Sequence, residues 1–298
     1  MQQEFKYADL LDDDVFKLVF GQESSKDVMI EFLNQVIEDR NIVDLTFIDK
    51  EMKSVNRGEK NSIYDMACDT DDGSRIVVEV QRRKQATYVE RAIYYSTFQV
   101  RNQVNAGSDD YAFCPVYVIN ILDFSLDENT GNPDVRTVYR LYEEKTHTLL
   151  TDKLTFIFLE LKKFNKTEEE LDGNILEGMY FCFRNMAKLR ARPKALVHEV
   201  FKKMFHICEL INMDELTRFK IITKMTTERD LRNQMAYAKK EAIAEGRAEG
   251  LAEGRAEGRA EGRAEGRAEI ARNLKAAGID YAIISSATGL ALEDVEQL

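Results

Sequence analysis

The stretch that decides the fold is Asn61–Gln81, NSIYDMACDTDDGSRIVVEVQ, in which two strand-like segments flank a polar turn. Asp65 stands near the start of the first segment, and Glu79 stands near the end of the second. A carboxylate inside a buried strand is costly unless it is paired or bound to a metal. The pattern therefore raises the question of what these two acids do.

The turn residues indicate how the two segments pair. A three-residue loop at 71–73 would be a type I turn that ends in a left-handed glycine. In that register Asp65 lies directly opposite Glu79, whereas a two-residue loop would place it opposite Val80. The glycine favours the first register, in which Asp65, Glu79 and Gln81 share one face of the hairpin.

This register predicts a metal site. The carboxylates of Asp65 and Glu79, with the backbone carbonyl of Val80, offer the hard oxygen ligands that Mg²⁺ or Mn²⁺ prefers. Such a site activates water and neutralises charge on a scissile phosphate, and Gln81 would orient the water or contact the phosphate. The alternative is an acidic sheet face exposed to solvent, and the pattern alone leaves both interpretations open.

The remainder of the first 165 residues alternates helix and strand patterns, which is typical of an α/β domain. Residues 12–38 predict two helical pieces, with GQESS as the break and Ser25 as an N-cap. The other predicted elements are strands at 42–49, 114–126, 136–143 and 153–164 and an amphipathic helix at 86–104.

The second half of the chain has only helical patterns. We predict a mixed α/β core at 1–165, a helical region at 166–240, an EGRA-repeat linker at 241–269 and a small helical module at 270–298. The repeat favours an extended helical arm, although a glycine every fourth residue costs about 1 kcal/mol each. The module has the outline of a helix-turn-helix, but its second helix has no basic residue, which favours a packing or oligomerisation role over DNA binding.

The composition limits the function classes. With 42 basic and 53 acidic residues the net charge is −11, which argues against a general coat for nucleic acid but not against a DNA enzyme. The cysteines and histidines lack zinc-binding spacing. No secretion signal and no apolar run of about 20 residues is evident, so we expect a soluble, cytoplasmic protein without membrane segments.

The hairpin resembles the D…ExQ signature of the PD-(D/E)XK nuclease superfamily. The chain is similar to the recombination-promoting nuclease and putative transposase family within it. Further stretches agree in order: DDVFKLVFG at 13–21, IEFLNQVI at 30–37, the long segment 88–124 and FIFLELKKFNK at 156–166. The resemblance implies a restriction-endonuclease-like fold, with a mixed-sheet core flanked by helices.

The resemblance also assigns roles to the hairpin. It implies that Asp65 and Glu79 bind a divalent cation, and that Gln81 stands where the superfamily usually has lysine. A glutamine cannot supply the positive charge of that lysine. Strand alternation offers Arg83 as a replacement and as a contact to DNA.

Two helix residues, Lys17 and Arg91, are the other candidates for that charge and for DNA contact. For every one of these cations a solvated basic patch is the competing interpretation. Glu31 is a possible additional acid from the first helices, although a surface position is favoured. Tyr94 and Tyr95 are expected to pack against the sheet, with one hydroxyl near the phosphate.

We therefore predict a metal-dependent DNA endonuclease linked to recombination or mobile elements. The alternative is a catalytically silent interaction or regulatory protein that keeps the nuclease scaffold, which the acidic charge and the missing lysine favour. A third possibility is a self-association protein, in which the C-terminal arm makes homo-oligomers.

Overall fold

The structure, a computed structural model, describes residues 5–48, 51–52, 62–104, 110–126 and 131–298. Its helices are α1 (Asp13–Phe20), α2 (Lys26–Val36), α3 (Tyr88–Arg101), α4 (Ile175–Asn185), α5 (Glu199–Cys208), α6 (Glu215–Ala276), α7 (Tyr281–Thr288) and α8 (Leu292–Gln297). Its strands are β1 (Leu45–Phe47), β2 (Glu51–Met52), β3 (Ser62–Ile63), β4 (Met66–Thr70), β5 (Arg75–Gln81), β6 (Val116–Leu122), β7 (Arg136–Tyr139) and β8 (Leu154–Glu160). The chain divides into two compact units, up to Thr226 and from Thr227 onward.

Six of the described strands form one mixed sheet in the order β1-β4-β5-β6-β8-β7. The β4–β5 hairpin is antiparallel, β5, β6 and β8 are parallel, and β7 is antiparallel to β8. Helix α3 connects the parallel neighbours β5 and β6, as a parallel crossover requires. This arrangement confirms the predicted mixed sheet with flanking helices, and the C-terminal half contains the long helix α6.

Alternation along β5 separates the two faces of the sheet. Ile76, Val78 and Val80 are buried in the main core, which α1, α2, α4 and α5 complete. Val77 and Glu79 point to the other face, where α3 lies. Both faces of the central strands are covered, so β6 is buried along its whole length.

The first two helices confirm the predicted break but not the predicted cap. Asp12 caps α1, because its side chain accepts hydrogen bonds from the backbone of Asp14 and Val15. Ser25 does precede α2, yet its side chain makes no cap hydrogen bond and its hydroxyl donates to the carbonyl of Leu18 instead. The prediction of a Ser25 side-chain cap is therefore wrong.

All four strands predicted outside the hairpin are longer than the observed ones. The strand predicted at 114–126 is β6, Val116–Leu122, and the strand predicted at 153–164 ends at Glu160, beyond which Leu161–Lys163 forms a turn of 3₁₀ helix. The strand predicted at 136–143 ends at Tyr139, and beyond it the chain forms only an isolated bridge between Tyr142 and Leu149. The strand predicted at 42–49 begins at Leu45, and its last residue, Asp49, lies outside the described residues.

The close approach of α4 to α5 requires a glycine. A Cβ added to Gly178 would lie 2.5 Å from Cζ of Phe201 and 2.7 Å from Cδ2 of Leu196. Both neighbours are buried, so we expect Gly178→Ala to reduce the free energy of unfolding by about 1–3 kcal/mol through overpacking. Thermal unfolding followed by circular dichroism measures this loss.

A matched control is Gly246→Ala on α6, where an added Cβ meets nothing within 4 Å. This substitution should leave the melting temperature of the first unit unchanged and increase helix content slightly. An unchanged melting temperature for Gly178→Ala would contradict the packing described between α4 and α5.

In the second unit, the end of α6 packs with α7 and α8. Ala271, Ile284 and Val295 form its small apolar core. Gly278 and Gly289 lie in the turns between these helices, with φ angles of +77° and +70° that favour glycine. Among the described residues, no helix combines the length and the apolar character that crossing a bilayer requires.

Candidate active site

The β4–β5 turn sets the register of the two acids. Gly73 ends the turn with a φ of +81°, a conformation that favours glycine. Met66 pairs with Val78, so the predicted three-residue loop and its register are confirmed. The ladder ends at Met66, and the preceding residue, Asp65, continues the line opposite Glu79.

Asp65 and Glu79 lie together at the end of this ladder. The Asp65 carboxylate accepts a hydrogen bond of 2.7 Å from the backbone N–H of Val80, which holds it beside the end of β5. Glu79 is 4% exposed, and its Oε1 has no hydrogen-bond partner among the described residues. A buried carboxylate oxygen without a donor is costly, so it marks a position that a ligand would stabilise.

Burial and mutual repulsion alter the acidity of both groups. Burial, with the neighbouring charge of Asp65, raises the pKa of Glu79 to about 8. Burial also raises the pKa of Asp65, although the hydrogen bond from Val80 opposes the change. The charge of Asp13 on α1 raises both pKa values and that of Arg91 lowers both. Without a cation, the pair therefore retains a proton near neutral pH.

Arg91 is the arginine that α3 directs at the acids. Its Nη2 lies 3.9 Å from Oε2 of Glu79, and its guanidinium carbon lies 5.0 Å and 5.8 Å from the ring centroids of Tyr88 and Tyr95. Nη1 donates to Gln85 at 3.1 Å, whereas the buried Nη2 has no hydrogen-bond partner among the described residues. The two rings fix the guanidinium and leave one donor available beside the carboxylates.

Tyr88 and Asn120 support this arrangement from beneath. The Tyr88 hydroxyl donates to Oδ1 of Asn120 at 2.7 Å, and Asn120 lies opposite Glu79 in the β5–β6 register. The sequence interpretation missed both residues. Tyr88 stands three positions before Arg91 on one helix face, and Asn120 is the polar residue of an apolar strand, so both signals were present.

The other predicted residues of the hairpin and α1 have different outcomes. Lys17 is half-buried on α1, and its charge lowers the pKa of Asp65, so it is an electrostatic neighbour of the site. Gln81 is the half-buried last residue of β5, two residues beyond Glu79 on the same strand face. Arg83 is exposed beyond the end of that strand.

The acid that α1 contributes is Asp13, which the sequence interpretation missed. Glu31 lies on α2, accepts a hydrogen bond of 2.9 Å from Gln35 and has no marked influence on the acidity of the pair. Its favoured interpretation as a helix residue outside the site is consistent with these contacts. Asp13 follows the N-cap residue of its helix, where an acid is ordinarily explained by the helix dipole alone.

The two neighbouring tyrosines of α3 behave differently. Tyr95 packs edge-on against Tyr64 with ring centroids 5.0 Å apart, beside the sheet as predicted. Tyr94 is 40% exposed and packs against Phe98 of its own helix at 4.8 Å. The prediction that Tyr94 packs against the sheet is therefore wrong.

The direction of the peptide groups in β5 determines where the Val80 carbonyl points. The Arg75 N–H and the Gln81 carbonyl both form hydrogen bonds on the β6 side of the strand. Because peptide directions alternate, the N–H and carbonyl of Val80 point to the β4 side, where Asp65 lies. The carbonyl is thus on the same edge as the carboxylates.

These groups fit a divalent cation. In the described parts of the chain no three acidic, histidine or cysteine side chains cluster into a metal cage. Two carboxylates and a carbonyl are nevertheless a typical partial ligand set for Mg²⁺, which keeps waters and takes substrate phosphate as further ligands. The unpartnered oxygen of Glu79 and the raised pKa values of both acids are what such a cation would relieve.

Comparison with known families agrees with this geometry. A family model described as PD-(D/E)XK nuclease family transposase matches residues 10–238, a span that includes both acids and α3. The chain belongs to this family. Comparisons with curated proteins and with solved structures gave no match. Membership of the PD-(D/E)XK nuclease family transposases points to a nuclease or mobile-element role with DNA as the substrate.

The raised pKa of Glu79 predicts a pH-dependent stability change. In the unfolded chain the pKa is near 4.5, and in the folded metal-free protein it is about 8, so folding becomes less favourable as the pH rises between these values. We expect Glu79→Gln to melt several degrees higher than the wild type at pH 9 and at the same temperature at pH 5. Calorimetry in EDTA at both pH values tests this.

Two controls accompany that measurement. Asp65→Asn removes the charge that repels Glu79 and so lowers the pKa of Glu79, and the variant should therefore lose less stability than the wild type between pH 5 and pH 9. Glu31→Gln should not change the pH dependence. Equal pH dependence in Glu79→Gln and the wild type would contradict the assignment.

Proposed function

We propose that this protein is a Mg²⁺- or Mn²⁺-dependent DNA endonuclease that hydrolyses phosphodiester bonds at Asp65 and Glu79. The observation that carries the proposal is the buried pair of carboxylates at the end of the β4–β5 hairpin, inside the region that matches the nuclease family. The family description supports a link to mobile elements.

Asp65, Glu79 and the Val80 carbonyl would hold the cation. When bound, a divalent cation supplies charge neutralisation at the scissile phosphate and a water of lowered pKa. The hydrogen bond from the Val80 N–H fixes the Asp65 carboxylate, and burial fixes that of Glu79. Both acids are therefore positioned before DNA binds, which reduces the reorganisation needed for the reaction.

The remaining side chains act on the phosphate and the water. Arg91 donates from Nη2 to a non-bridging phosphate oxygen and so supplies the charge that Gln81 cannot. Gln81 accepts or donates a hydrogen bond to orient the attacking water. Lys17 adds a positive charge on the α1 side of Asp65, where it opposes the repulsion between that acid and the DNA backbone.

A plasmid-nicking assay tests the proposal. Supercoiled DNA is incubated with the full chain in Mg²⁺, Mn²⁺, Ca²⁺ or EDTA, and open-circular and linear products are quantified. We expect the wild type to nick DNA with Mg²⁺ or Mn²⁺ and not to nick it in EDTA. An inert wild type across metals and across supercoiled, linear and single-stranded DNA would contradict it and favour the silent interaction protein.

A further inference from the structure

A second cleft lies on the other flank of α3. Arg91 and Tyr95 face the acids, whereas Val89 and Ile93 are rotated about a third to half of a turn around the same helix. They line an open cleft of about 480 Å³, whose floor is formed by β8 and whose far wall is β7. The cleft therefore lies on the same sheet face as Glu79, over a part of the sheet that α3 leaves open.

The walls of this cleft are apolar and rich in aromatic rings. Phe156 and Phe158 form its floor, and Tyr139 packs edge-on against Phe158 with ring centroids 5.5 Å apart. Val89, Ile93 and Tyr139 are 43%, 50% and 52% exposed, so these surfaces are open to a ligand. The exposed ring of Tyr139 offers a nucleobase a stacking partner, and the exposed side chains of Val89 and Ile93 offer it apolar contact.

A cation lies at the rim of the cleft. The Lys84 ammonium donates to the carbonyl of Leu126 at 2.5 Å, a neutral partner that leaves its charge uncompensated in that contact. Arg140 also lines the cleft but forms an ion pair with Asp39. A cation beside aromatic walls suits a nucleotide, because the base stacks while the ammonium attracts the phosphate.

The cleft adjoins the candidate active site at the N-terminus of α3, where two of its lining residues contact Arg91. Phe124 of the cleft packs against Tyr88 with centroids 5.8 Å apart, and Tyr88 in turn supports the guanidinium of Arg91. Gln85 lines the cleft and accepts a hydrogen bond from Arg91. A single DNA strand that crosses the end of α3 can therefore reach both places.

We propose that this cleft receives an unstacked nucleobase of the strand whose phosphate lies at Asp65 and Glu79. The substrate would then be single-stranded DNA, or duplex DNA distorted enough to release a base. This inference rests on the proposed nuclease function, which is the reason to expect DNA at the site. Base binding can nevertheless be measured without cleavage.

A tryptophan reporter tests base binding directly, because the chain has no tryptophan. Ile93→Trp places one in the cleft, and Val197→Trp places one on an exposed site outside the residues that line it. In EDTA, a ten-nucleotide oligo(dT) should quench the Ile93→Trp emission saturably and leave Val197→Trp unchanged. An abasic oligomer of equal length, which keeps the phosphates, should not quench either protein.

Alanine substitutions supply an independent measurement. Tyr139→Ala should weaken binding of the same oligo(dT) about tenfold, as loss of one stacking partner does. Tyr142→Ala is the matched control, because Tyr142 is also 52% exposed but lines a different, polar cleft. Its affinity for oligo(dT) should equal that of the wild type.

The outcomes separate this inference from the proposed function. Equal quenching by oligo(dT) and the abasic oligomer, or no quenching, overturns the inference even if the wild type nicks plasmid. Emission of Ile93→Trp that changes with protein concentration alone, together with dimers in light scattering, assigns the cleft to a second copy and also overturns it. Base-dependent quenching in a protein that never cleaves DNA supports the inference and contradicts the nuclease.

Discussion

Replacement of Asp65 by asparagine is expected to reduce metal-dependent DNA nicking by about 100-fold or more. The substitution keeps the shape of the side chain but removes one of the two charges that would hold the cation, a contribution of several kcal/mol to the transition state. Glu79→Gln should have an effect of similar size. The double variant should be little worse than either single one, because the two acids act as one unit.

The control for these variants is Glu31→Gln. Glu31 is a half-buried acid whose carboxylate accepts a hydrogen bond from Gln35. The control variant should nick DNA at the wild-type rate. Circular dichroism must show that all variants are folded. If folded Asp65→Asn and Glu79→Gln cleave as fast as the wild type, the hairpin is not the reactive centre.

Loss of the Arg91 side chain should reduce kcat about 100-fold while KM for DNA changes little. The free donor of the guanidinium lies beside the carboxylates, so its hydrogen bond to phosphate would strengthen as charge develops there. Arg91→Lys should recover part of the rate, since lysine restores the charge but not the planar fork held by Tyr88 and Tyr95. Single-turnover kinetics separate the two parameters.

Arg75→Ala is the matched control for a general loss of stability. Arg75 lies at the other end of β5, its side chain is 16% exposed, and it forms two hydrogen bonds with Asp69. Its loss should lower the melting temperature without a change in kcat. An equal fall in kcat for Arg75→Ala and Arg91→Ala would mean that Arg91 acts through folding alone.

The sequence was sufficient to predict the hairpin because its register is a local property. Gly73 is compatible with the left-handed end of a three-residue loop, and the alternation of residues then fixes which side chains share a face. The opposition of Asp65 and Glu79 follows from those two facts. The helix that contains Arg91 was likewise predictable from its amphipathic pattern.

The contribution of Asp13 could not be predicted in the same way, because it depends on how α1 packs on the sheet, which no local pattern specifies. The position of Tyr88 on the Arg91 face of α3 was readable from the sequence, but its hydrogen bond to Asn120 depends on how α3 packs on the sheet. Ser25 shows the same limit at smaller scale. A serine before a helix is a good N-cap candidate, but the Ser25 hydroxyl donates its hydrogen bond to the carbonyl of Leu18 instead.

Binding of Mn²⁺ to the full chain, measured by the loss of the free-ion signal in electron paramagnetic resonance, tests the central claim most directly. We expect Asp65→Asn and Glu79→Gln each to bind one ion fewer per chain than the wild type, and Glu31→Gln to bind as many. This measurement does not require the correct DNA substrate to be known. Equal Mn²⁺ binding by the wild type and the Asp65 and Glu79 variants would show that these acids hold no cation.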